Sequence, residues 1–161
     1  MKILISDKMS NKVEEVLNSK SIDFDVKTGM EPSELKSIID NYDGILIRSA
    51  TKLTSDIIEN CKNLKVIGRA GVGVDNVDLD TATKNKILVM NTPLGNLEAT
   101  AELTVGLIFS LYRHIHLANN STHEGKWEKS KFMGTELKGK TLGVVGFGNI
   151  GQRVAEICKV I

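Results

Sequence analysis

Lys140-Thr141-Leu142-Gly143-Val144-Val145-Gly146-Phe147-Gly148-Asn149-Ile150-Gly151 decides how the rest of this chain is read. An apolar strand is predicted from Thr141. It runs into Gly-x-Gly-x-x-Gly and then into a helix from about Asn149. That order is what a backbone needs to hold a dinucleotide diphosphate. Gly146 allows the tight turn out of the strand. Gly148 has no Cβ, so a phosphate can approach the backbone, and Gly151 lets the helix pack closely on the strand. The helix then aims its free N–H groups and positive dipole end at the same place. The plainer alternative is a glycine turn that only packs a strand against a helix. A dinucleotide site takes an acidic residue from the next strand, about 20 residues on, to hold the ribose. The sequence runs only to Ile161, so NAD and NADP are not distinguished by it.

N-terminal to this stretch, short apolar runs alternate with amphipathic ones. Ile3-Leu4-Ile5 reads as a buried strand. A helix follows from about Asn11, with Glu14 as its capping partner and Val13, Val16 and Leu17 on one face. Ile22, Phe24 and Val26 alternate with polar residues at strand period. Pro32 opens a helix carrying Leu35, Ile38 and Ile39. Ile45–Ile47, Leu64–Ile67 and Ile87–Met90 read as strands, with helices at Ile57-Ile58 and from Leu79 to Lys84. Strands alternating with helices imply a parallel sheet covered on both faces, the α/β class. Pro93 and Gly95 punctuate the chain, and a long helix is predicted from Glu98 to Asn119, apolar on most faces. The expected organisation is a flavodoxin-like domain over residues 1–95, followed over 96–161 by the beginning of a Rossmann dinucleotide-binding domain.

Composition narrows the partners. The 161 residues are 41% hydrophobic and 25% charged, ordinary for a globular protein and too apolar for disorder. A net charge of +1 builds no strong field for nucleic acid or an anionic membrane. Aromatic residues, at 4%, offer few platforms for stacking bases. The longest apolar run, Leu103 to Tyr112, is too short to span a bilayer. Met1-Lys2 leads straight into an apolar strand, so no secretory signal is expected, and Cys61 and Cys158 read as reduced thiols of a cytoplasmic protein. His114 and His116 are two apart on a predicted helix and point to different sides, which is poor geometry for a metal. No metal site is expected.

A second glycine cluster, Gly68-Arg69-Ala70-Gly71-Val72-Gly73-Val74-Asp75-Asn76, follows the strand at Leu64–Ile67. Asn76 stands where a third glycine would complete the pattern. The backbone N–H groups of this segment suit an anion-binding nest. Arg48 and Arg69 each follow a strand end, where open parallel sheets place their sites. Two guanidinium forks facing one crevice would suit an acidic substrate, although spacing alone is also compatible with two surface arginines.

Taken together, these residues resemble the D-isomer-specific 2-hydroxyacid dehydrogenases, and within them the branch acting on 3-phospho-D-glycerate. The likeness rests on Ile47–Lys52, Val66–Asp78, Asn91–Asn96, Gly125–Glu128, Lys131–Leu137 and the glycine turn, in the family's order from about residue 40. It implies a substrate domain leading into a nucleotide domain, with oxidation of 3-phospho-D-glycerate to 3-phosphohydroxypyruvate by NAD. Another 2-hydroxy acid (hydroxypyruvate, glyoxylate or D-lactate) and a non-catalytic anion-binding or dimerisation module are the alternatives. By position, Arg48 and Ser49 belong to the loop facing the substrate, and Arg69 to its phosphate or carboxylate. Val72 and Gly73 belong to the carboxylate cradle and Asn96 to a residue near the nicotinamide. Gly146, Gly148, Asn149, Ile150 and Gly151 match the diphosphate-binding turn. The resemblance also implies a homodimer, or pairing through the helix Glu98 to Asn119. Leu97 departs from the Ser or Thr usual after the asparagine, which alters the helix cap. The family's catalytic Arg, Glu and His match no residue here, so these 161 residues alone are expected to be inactive.

Overall fold

A computed structural model describes every residue from Met1 to Ile161. The chain divides into two compact units, Met1–Gly95 and Asn96–Ile161.

The first unit is an α/β layer structure. Its strands are β1 (Lys2–Ile5), β2 (Asp23–Val26), β3 (Gly44–Ile47), β4 (Val66–Arg69) and β5 (Leu88–Asn91). All pair in parallel, in the order β2-β1-β3-β4-β5, which is the flavodoxin-like arrangement. The connection from β1 runs one way to β2, and every later connection runs the other way. The order therefore reverses between β1 and β3, and the carboxyl ends of those strands border a crevice. The inner strands β1 and β3 are short Ile/Leu runs because parallel strands covered on both faces are buried, whereas the edge strands β2 and β5 are more exposed. Leu4, Ile45 and Ile67 are fully enclosed, and Leu35, Ile39, Ile57, Ile58 and Ala82 cover them from the helical layers. Truncating any of the enclosed Leu or Ile residues to Ala costs about 2–5 kcal/mol in cores of this kind.

Four helices link the strands: α1 (Lys12–Ser19), α2 (Pro32–Ile38), α3 (Ser55–Ile58) and α4 (Leu79–Lys84). Asp78 caps α4 by accepting the Thr81 N–H at 2.8 Å, and that bond holds its carboxyl below the usual range. The expected Asn11/Glu14 capping pair does not form. Asn11 is itself in helical conformation, so its side chain cannot reach back to the first turn. The Ser10 carbonyl accepts from Val13 instead. Of the predicted α1 face, Val13 and Leu17 are half-buried and Val16 is exposed.

The second unit holds α5 (Leu97–Tyr112), α6 (Ile115–His123), a 3-10 turn (Lys129–Phe132) and α7 (Asn149–Cys158). Ala101 and Val105 of α5 close on Val154 of α7, with Phe109, Ile150 and Ile157 around them.

The second unit departs from the predicted pattern at two places. The single helix Glu98–Asn119 is broken at His114, which takes a left-handed conformation (φ 52°). In a continuous helix the Tyr112 carbonyl would accept from within the helix. It accepts from Thr135 at 2.9 Å, because the returning chain lies against the helix end. The predicted strand from Thr141 to Val145 carries no ladder. A strand exists only by pairing its backbone groups with a neighbour, and the second unit contains no other strand to receive them.

Candidate functional site

In the first unit, the carboxyl edge of the sheet gathers polar residues in a set order. Ser6 and Asp7 follow β1, and both are buried. The Asp7 carboxylate accepts three hydrogen bonds: from the Arg48 N–H at 2.5 Å, the Thr51 N–H at 3.2 Å and the Thr51 hydroxyl at 2.7 Å. Ser6 Oγ lies 2.9 Å from Thr51 Oγ1. Arg48 follows β3, and Nη1 of its exposed side chain donates to the Lys8 carbonyl at 3.4 Å. Ser49 borders an open groove shared with Lys52, Asp75 and Asn76.

Arg69 closes β4, directly opposite Ile47 in the register. Its Nε donates to Asn76 Oδ1 at 3.2 Å, and its guanidinium folds over Gly71, where a Cβ would lie 2.0 Å from Nη1. The nest itself is tied to β5. The Val72 carbonyl accepts from Asn91 Nδ2 at 2.7 Å and the Gly71 carbonyl from Thr92 at 3.0 Å. The Asp75 carboxylate turns back towards Gly73, 2.8 Å from where a Cβ would sit.

Of the four arginines, only Arg153 is ion-paired, to Glu98 at 2.9 Å and Glu156 at 3.1 Å. Arg48 and Arg69 therefore hold their charge without a carboxylate partner at adjacent strand ends. A guanidinium without a carboxylate partner can pair with an anionic group. The structure thus gathers Arg48, Ser49, Arg69, Val72 and Gly73 on one edge. Asn96 lies in the second unit, as the N-cap of α5, with no side-chain capping bond.

The glycine turn of the second unit is built from opposite demands. Gly146 takes φ +91°, a conformation that side chains rarely adopt. Gly151 sits so close to it that a Cβ would lie 2.2 Å from the Gly146 carbonyl oxygen. Gly148 has nothing within 4 Å of its Cβ position, so the turn is open there. The first intrahelical bond of α7 runs from Gln152 to the Gly148 carbonyl at 2.9 Å. The N–H groups of Asn149, Ile150 and Gly151 precede it and stand at the positive end of the helix dipole.

The sequence matches the description "D-isomer specific 2-hydroxyacid dehydrogenase, catalytic domain" over residues 3–156. The chain belongs to the D-isomer-specific 2-hydroxyacid dehydrogenase family. Among curated relatives of that family, D-3-phosphoglycerate dehydrogenase of Archaeoglobus fulgidus is 45% identical over 161 residues, covering 100% of this chain and 31% of the relative. The enzyme of the same name from Sus scrofa is 50% identical over 154 residues, covering 96% of this chain and 29% of the relative. The chain thus spans under a third of the length of either. A solved structure of NAD+-bound 3-phosphoglycerate dehydrogenase from Entamoeba histolytica superposes with a TM-score of 0.78 at 32% identity, covering 99% of this chain and 51% of that one.

Asp7, Thr51, Asn76 and Asn91 hold this edge together through side-chain hydrogen bonds that the sequence does not announce. Ser6-Asp7 did carry a signal, a polar pair directly after an apolar strand. Asn76 was visible only as the residue that breaks a glycine pattern. No helix is long and apolar enough to cross a membrane.

Proposed function

We propose that residues 1–95 form the substrate domain, and residues 96–161 the first part of the NAD-binding domain, of an enzyme that oxidises 3-phospho-D-glycerate to 3-phosphohydroxypyruvate. The supporting observation is the pair of arginines without carboxylate partners at adjacent strand ends, in a chain about half identical to enzymes named for that substrate. Arg69 takes the phosphate or carboxylate of the substrate in a two-pronged contact, and Arg48 and Ser49 face the same ligand. The backbone N–H groups around Val72 and Gly73 cradle the remaining acidic group. Asn96 serves next to the nicotinamide.

The glycine turn fits a dinucleotide. Its open position at Gly148 admits a phosphate, and the unbonded N–H groups of Asn149, Ile150 and Gly151 supply donors. Gly146 and Gly151 hold the turn in shape. When bound, NAD supplies the hydride acceptor. What this chain contributes is binding and orientation; proton transfer is assigned to none of its residues. The exposed leucines of α5, Leu103, Leu107 and Leu111, are proposed to pair with a second copy.

The test is 3-phosphoglycerate-dependent NADH formation by the protein isolated from its native source, with D-glycerate and D-lactate in parallel. Activity confined to the phosphorylated substrate is expected. Oxidation of D-lactate or D-glycerate in its place would overturn the choice of substrate.

A further inference from the structure

The loop Arg48–Thr51 is held from two sides by two buried or half-buried groups with opposite hydrogen-bonding character. Asp7 offers only acceptors, and takes the N–H of Arg48 and the N–H of Thr51. Asn76 offers its amide N–H2, and donates to the carbonyls of those same two residues, at 2.7 Å to Arg48 and 2.6 Å to Thr51. Both ends of the loop are therefore clamped, while Ser49 and Ala50 between them remain exposed. The amide oxygen of Asn76 has one further partner, Nε of Arg69. Two carbonyls on one side of the amide and an N–H on the other leave only one way round for this side chain. Its backbone carbonyl accepts from Leu53 at 2.8 Å, beside the parallel bridge between Leu53 and Val77, both buried. Asn76 thus stands on a rigid base.

We infer that Asn76 is a positioning residue that presets the Arg69 guanidinium and the Arg48–Thr51 loop as one unit before ligand arrives. With Nε turned inward to Asn76, both terminal nitrogens of Arg69 are left for an anion. Without that anchor the guanidinium rotates freely, and binding must then order it at a cost in affinity. No shorter polar side chain supplies two donors and an acceptor at once. An aspartate keeps the acceptor for Arg69 but turns a second carboxylate oxygen towards two carbonyls. Loop and arginine should therefore separate in their response to Asn76→Asp and Asn76→Ala. The consequence for phosphorylated ligands rests on the function proposed above; the preset geometry does not.

The deciding experiment is nitrogen-detected NMR of arginine side chains in the 161-residue chain, combined with calorimetric titration of 3-phosphoglycerate. In the wild type, the Arg69 Nε–H should exchange with solvent more slowly than that of exposed Arg48. Asn76→Ala should erase the difference, and Asn76→Asp should retain it while deprotecting the loop. Affinity for 3-phosphoglycerate should fall about tenfold or more in Asn76→Ala, with NAD affinity unchanged. An unprotected Arg69 Nε–H in the wild type overturns the inference without any variant being needed. So does wild-type affinity in Asn76→Ala. If the wild type shows the protected Nε–H but binds no 3-phosphoglycerate, the substrate assignment fails, and the exchange data still decide whether Asn76 presets the arginine.

Discussion

The peptide N–H of Arg48 donates to the carboxylate of Asp7 at 2.5 Å, joining the carboxyl ends of β3 and β1 across the point where the sheet order reverses. Asp7 is 6% exposed, so its carboxylate is held among these donors rather than in open solvent. Asp7→Ala leaves two N–H groups without their acceptor and leaves the Thr51 hydroxyl only Ser6 Oγ. Unfolding free energy should drop by about 2–4 kcal/mol. Urea denaturation measures this, and a loss within error of zero would show that the loop finds other partners. Asp7→Asn should recover only part, because its N–H2 meets donors.

Gly148 and Gly151 should separate stability from nucleotide binding. Gly151→Ala drives a Cβ into the Gly146 carbonyl, and should cost about 1–3 kcal/mol as an overpacked contact. Gly148→Ala meets no atom and has an ordinary φ of −81°. Its stability should stay within about 0.5 kcal/mol of wild type while NADH affinity falls. Thermal melts with NADH fluorescence titration read both quantities. Equal NADH affinity in wild type and Gly148→Ala would contradict the diphosphate role of the turn.

Arg69→Ala should discriminate by phosphate. A charge-assisted contact is worth about 1.5–3 kcal/mol, so affinity for 3-phosphoglycerate should fall at least tenfold. Affinity for D-glycerate should change far less. Equal losses would remove the reason for naming a phosphorylated substrate.

Alkaline pH should unfold the first unit through two identifiable groups. Burial, and then the hydrogen bond to Asp25, push the Tyr42 phenol up to about 12 from an ordinary 10. Burial, and then the nearby Asp40 charge, push the Cys61 thiol up to about 11 from 9. In both cases the folded state holds the proton more tightly than the unfolded chain. Their contribution is complete below the unfolded value and drains away as pH rises through the folded one. Stability should decline from pH 9 upward as Cys61 titrates, most steeply between about 10 and 11 where Tyr42 joins it, and on to about 12 through Tyr42 alone. Tyr42→Phe should flatten the upper part of that slope and Cys61→Ala the lower. Melting curves from pH 7 to 12 follow it, and unchanged slopes in both variants would refute the assignment.

Leu103, Leu107 and Leu111 are 64%, 60% and 66% exposed, a continuous apolar stripe along α5. Light scattering should find a dimer or larger assembly, and Leu107→Glu should shift it towards monomer. A wild-type chain that stays monomeric at high concentration would exclude pairing through this helix.

Much of the first unit is legible from local pattern. Ile3–Ile5, Ile45–Ile47 and the helix from Leu79 to Lys84 all lie where periodicity puts them, because each is stabilised by contacts that short apolar runs announce. Arg48 and Arg69 are also legible, as residues at the carboxyl ends of parallel strands, although β4 runs two residues further than the pattern predicts and ends on Arg69 itself. Asn76 is not. Its role depends on three partners at sequence separations of 28, 25 and 7 residues. No periodicity encodes such a meeting.

The α/β class, the glycine turn and the family follow from residue types at short, constant spacing, and so are readable without coordinates. The tertiary structure alone decided where the long helix breaks and that Thr141–Val145 pairs with nothing. It alone decided that the Asp7 and Asn76 side chains grip one loop from opposite sides. A helix end, a strand and a clamped loop are defined by where distant backbone donors and acceptors find partners, and only folding brings those partners within bonding distance.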